Sequence, residues 1–62
     1  MNNVSRACEL LGRTQDSALS MADRTQTVRD FLDVIRTDGF PTAKRYVLFT
    51  ALVQMGLPEQ AA

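Results

Sequence analysis

The run Tyr46-Val47-Leu48-Phe49-Thr50-Ala51-Leu52-Val53-Gln54-Met55 constrains this chain more than any other feature, because wound as a helix it is apolar almost all the way round. A strand is the competing conformation, since Val47, Phe49 and Val53 favour strands. Ala51, Leu52, Gln54 and Met55 favour the helix, and Met55-Gly56-Leu57-Pro58 is a good stop, with Gly56 left-handed and Leu57 against Leu52. Such a helix needs cover on several sides. A chain of 62 residues buries only about 60% of its unfolded surface. A second copy is therefore expected to cover what remains, which makes a homodimer the expected assembly.

The preceding helix has a plainer pattern. Thr25-Gln26-Thr27 offers capping oxygens, and Thr27 with Asp30 resembles a capping box. From there Val28, Phe31, Leu32 and Ile35 follow at i, i+3, i+4 and i+7, while Arg29, Asp30, Asp33 and Arg36 form an ordinary solvated ion-pair face. This helix is expected to end near Asp38, with Gly39 left-handed at C′, Phe40 folding back on Ile35 and Pro41 preventing continuation. Pro41 in the first turn, or Thr42 as a cap, opens the last helix. Residues 25–57 thus read as an antiparallel helical hairpin.

At the N-terminus, Val4 to Gly12 reads as a short amphipathic helix stopped by glycine, followed by a second helix from about Gln15 to Ala22. Cys8 and Gly12 have the spacing of a helix-turn-helix, which needs a small residue at the helix contact and a glycine four positions later in a left-handed turn. Ala7, Leu11, Ala18 and Met21 fall where the two helices would bury apolar side chains, whereas Arg13 stands where Val or Ile is usual. The expected fold is all-α, one domain over 1–62. It comprises about four helices: a helix-turn-helix-like pair over 1–24, the hairpin over 25–57 and a tail over 58–62 expected to fray. Met21-Ala22-Asp23 also reads as a plausible start of a shorter product.

The segment from Asn3 to Ser17 resembles the N-terminal helix-turn-helix of some insertion-sequence transposases and, more loosely, that of the factor for inversion stimulation, with its Ala-rich helix ending in Leu-Leu-Gly. The likeness covers roughly a quarter of the chain. Those families continue with an aromatic or basic recognition helix, where this chain has Ala18-Leu19-Ser20-Met21-Ala22-Asp23. The resemblance implies DNA binding.

Composition narrows the chemistry. There is no His, so the usual general base and nitrogen metal ligand are missing, and the lone Cys8 can form neither a zinc site nor an internal disulfide. Gly12, Gly39 and Gly56 are isolated, so no phosphate-cradling loop is present. The expected protein is not an enzyme, uses no cofactor or metal, does not span a membrane and lies in the cytoplasm. Net charge is zero, with Arg6, Arg13 and Arg24 set against Glu9, Asp16 and Asp23, which weakens the case for nonspecific phosphate binding.

Two functions follow. In one, a dimeric regulator of transcription places the second helix in the major groove, with Thr14, Gln15, Asp16 and Ser17 near base edges and Arg6, Arg13 and Arg24 on phosphates. In the other, the chain is an inhibitor, anti-activator, antitoxin or adaptor that binds a partner protein. Phe31, Ile35, Tyr46, Leu48, Phe49 and Leu52 are its expected interaction or dimer face. Lys44-Arg45-Tyr46 at the start of the last helix is a further candidate contact for a phosphate or an acidic partner, with a solvated first turn as the simpler explanation.

Overall fold

A computed structural model of the protein describes residues 2–56. Among them are three helices and no strand: α1 over Asn3–Arg13, α2 over Met21–Ile35 and α3 over Thr42–Met55. The all-helical class is as expected, but the count is three. The helix expected over Gln15–Ala22 is a loop as far as Ser20, and the remainder of it is the first turn of α2.

Local chemistry explains the merger. Asn2 caps α1 by accepting the Ser5 amide on its Oδ1 at 2.7 Å. Gly12 does not stop that helix: it lies within α1, and among the described residues positive φ occurs only at Gly39 and Gly56. The end comes two residues later, where the Thr14 amide donates to the Leu10 carbonyl and the buried Thr14 hydroxyl donates to that of Leu11 at 2.6 Å. Asp16 then folds an Asx turn, its Oδ1 accepting the Ala18 amide at 2.9 Å.

Ser20 caps α2 by accepting the Asp23 amide on its hydroxyl at 3.1 Å. Ser20 and Asp23 have the same box spacing as Thr27 and Asp30, and the fold uses the earlier pair. With no Gly or Pro between Ser20 and Ile35, nothing interrupts the helix once it starts there. Thr25 and Thr27, expected as caps, are instead buried inside α2, where the Thr27 hydroxyl donates to the Asp23 carbonyl.

The core joins Ala7 and Leu11 of α1, Val28, Phe31 and Ile35 of α2, Leu48 and Leu52 of α3, and Phe40 from the second connection. Of the four apolar positions expected at the first helix contact, Ala7 and Leu11 are buried and Ala18 and Met21 are exposed. Cys8 is exposed too, and Ala7 is the small residue packed inside. α1 lies against α2 and, over a shorter stretch, against α3, while α2 and α3 meet through side chains of the core and through Arg45. α1 packs against both of the other helices, and side chains of all three meet in one core.

α2 stops at Ile35, three residues before the expected end. The Phe40 amide donates to the Thr37 carbonyl at 3.0 Å across a turn with Gly39 at φ +90°, the positive φ that the third position of a type II turn requires. Gly39 is left-handed as expected, but inside this turn and not at the helix terminus, and Phe40 is buried in the same core as Ile35. α3 starts at Thr42 behind Pro41 without a side-chain cap and ends at Gly56, φ +96°. The expected contact of Leu57 with Leu52 and the fraying of 58–62 lie outside the described residues.

Candidate interaction surface

α3 presents most of its apolar side chains to solvent. Only Leu48 and Leu52 are buried, four residues apart on the face toward α1 and α2. Tyr46 is 76% exposed, Phe49 45% and Val53 49%, at i, i+3 and i+7 on one side of the helix, with Val47 and Met55 exposed elsewhere on it. The residues expected to form one interaction face therefore divide. Phe31, Ile35, Leu48 and Leu52 form the core of the chain itself, and Tyr46 and Phe49 remain outside.

Beside Tyr46 and Phe49 lies an open groove of about 350 Å³ between the end of α2 and the start of α3, walled by Leu32, Ile35, Tyr46 and Phe49 with Arg36 and Arg45 at its edge. Arg45 anchors this region. Its Nε donates to the Ile35 carbonyl at 2.6 Å and its Nη2 to the Thr37 and Phe40 carbonyls at 3.4 Å. These are carbonyls at and just beyond the end of α2, where unpaired acceptors and the negative end of the helix dipole favour a cation. The anion contact considered for Lys44-Arg45-Tyr46 thus has one of its cations bound to backbone.

The candidate DNA residues are not presented together on one helix. Arg24 is held by the first loop, its Nε donating to the Thr14 carbonyl at 3.1 Å and its Nη2 to the Asp16 carbonyl at 2.9 Å. Thr14 is buried, Gln15 donates to the Thr14 hydroxyl, and Asp16 shapes the Asx turn, which leaves Ser17 exposed without a hydrogen bond among the described residues. Arg6 and Arg13 do share a groove between α1 and α2, of about 550 Å³, but with Glu9, Asp23 and Asp30 in the same walls. A phosphate approaching these arginines would meet three carboxylates, so the local field is mixed.

Sequence reasoning missed two roles. Arg24 and Arg45 pin loops, and the only available signal was their position four residues into a helix that follows a turn. Groups of three or more His, Cys, Asp or Glu able to hold a metal ion do not occur among the described residues, and no helix there is long and apolar enough to cross a membrane. No family model matches the chain, and no curated protein or solved structure does.

Proposed function

We propose that the protein is a non-catalytic interaction module of the cytoplasm whose α3 face docks a protein helix. The observation that carries this reading is the exposed row Tyr46, Phe49 and Val53 beside the groove. Isolated apolar side chains on a surface are ordinary, but a contiguous row flanked by a groove is the usual form of a docking site. A second copy is one possible occupant, as the sequence led us to expect, and a different protein is the other. The DNA reading receives less support, because its expected recognition helix is a loop and its arginines are either bound to backbone carbonyls or set among carboxylates.

Selection of displayed helical peptides against the immobilised protein tests the reading. Enriched peptides should compete with one another and should not bind a Phe49→Asp variant that keeps its helical spectrum. If nothing enriches over that variant, the reading fails. In parallel, a random-sequence duplex titrated at low salt should give no complex. One tighter than about 10⁻⁴ M and weakened by Arg13→Ala would restore DNA as the target.

A further inference from the structure

The charge around the groove narrows the partner. Among the described residues its walls include Arg36 and Arg45 and no carboxylate; Asp33 and Asp38, near in sequence, do not line it, and with Arg45 held on backbone carbonyls it is Arg36 that offers its charge to a partner. α3 itself carries Lys44 and Arg45 and no acid. An apolar floor with a cationic edge selects an occupant that is apolar on one side and anionic at its margins. The apolar row continues beyond the groove through Val53, so the occupant is longer than a small molecule held in the cavity alone. Tyr46 to Val53 is two helical turns, about 10 Å at 1.5 Å per residue, which matches the spacing of anchors on a docked helix.

From this juxtaposition of apolar row and cationic edge, and on the reading that α3 is a docking face, we infer that the protein binds an acidic amphipathic helix. One apolar side chain of that helix enters the groove between Ile35 and Phe49, and its flanking Asp or Glu residues lie near Arg36. A second copy of the chain fits less well. Its own α3 would bring two further cations and no carboxylate to an edge that is already cationic.

Two synthetic helical peptides with the same apolar row test the inference, one bearing Glu and the other Lys at the remaining positions, each titrated by fluorescence anisotropy. The Glu peptide should bind roughly tenfold or more tighter at low salt, and the preference should shrink as salt screens the pair. Arg36→Glu, an exposed position, should reverse the preference while leaving the helical spectrum unchanged and lowering the melting temperature only slightly, since an acid would then stand at the negative end of α2. Phe49→Asp should abolish binding of both peptides. Equal binding of the two, lost on Phe49→Asp, would overturn the acidic partner while leaving α3 as a docking face. If neither peptide binds, both ideas fall. A concentration-dependent dimer in sedimentation that excludes the Glu peptide would assign the face to a second copy and overturn the inference.

Discussion

α2 and α3 are nearly equal in length, 15 and 14 residues, yet they use their apolar side chains in opposite ways. In α2 the stripe read from the sequence and the buried face coincide: Val28, Phe31 and Ile35 are inside, and Leu32 is half-buried. α3 has apolar residues on every side, and only Leu48 and Leu52 are inside. An amphipathic helix states in its sequence which side is covered, whereas a uniformly apolar one states only that cover would be favourable. Among the described residues nothing covers the outer side of α3, which therefore presents an apolar face.

The sharpest break of this comparison uses two adjacent residues of α3. Leu52 is fully buried and Val53 is 49% exposed. Leu52→Asp should cost several kcal/mol by placing a carboxylate in an apolar core, enough to unfold a domain of this size in a urea titration followed by circular dichroism. Val53→Asp should stay within about 0.5 kcal/mol of the parent. If both unfolded the chain, the exposed face assigned to α3 would be wrong.

Arg45 joins the two helices, so its removal sharpens the comparison next. Arg45→Ala should lose about 1.5–3 kcal/mol, the range for hydrogen bonds from a charged donor, and hydrogen exchange should quicken first in the last turn of α2. Lys should not restore it, because one ammonium cannot reproduce the planar fork that reaches Ile35, Thr37 and Phe40. Gly39, in the turn between the same helices, comes third: Gly39→Ala should cost roughly 1 kcal/mol through the added Cβ at positive φ. The smallest effect has the opposite sign and concerns α1, against which both helices pack. Gly12 is helical, and a Cβ there would meet nothing within 4 Å. Gly12→Ala should therefore raise stability by about 0.5–1 kcal/mol, read as a higher melting temperature. Destabilisation would mean that Gly12 needs a conformation other than the helical one.

The pattern of successes follows from how local each signal is. The stripe of α2 and the positive φ of Gly39 and Gly56 each depend on a few neighbouring residues, and those were legible; the start of α3 was placed to within a residue, with Pro41 before the helix and Thr42 its first residue instead of its cap. The first loop was not. Gly12 looked like a terminator because glycine often is one, but only three-dimensional packing decides between a helical and a left-handed glycine. Thr27 and Ser20 offered equivalent boxes, and the choice of Ser20 places Thr25 and Thr27 on the buried side of α2, a fact no local window contains. The interaction face was half legible for the same reason. Phe31, Ile35, Leu48 and Leu52 could be read as apolar but not assigned to the inside, while Tyr46 and Phe49 could not be assigned to the outside.

The two arginine anchors also bear on how quickly the chain folds. Arg24 and Arg45 each reach back eight and ten residues, to a loop and helix end already synthesised. Closing so short a stretch costs little chain entropy compared with bringing distant segments together. Each turn can be fastened as soon as the next helix gains its first turn, so assembly proceeds by neighbouring steps from the N-terminus onward. Folding in the microsecond to millisecond range of about 10⁻⁶ to 10⁻³ s, typical of small helical domains, is the consequence.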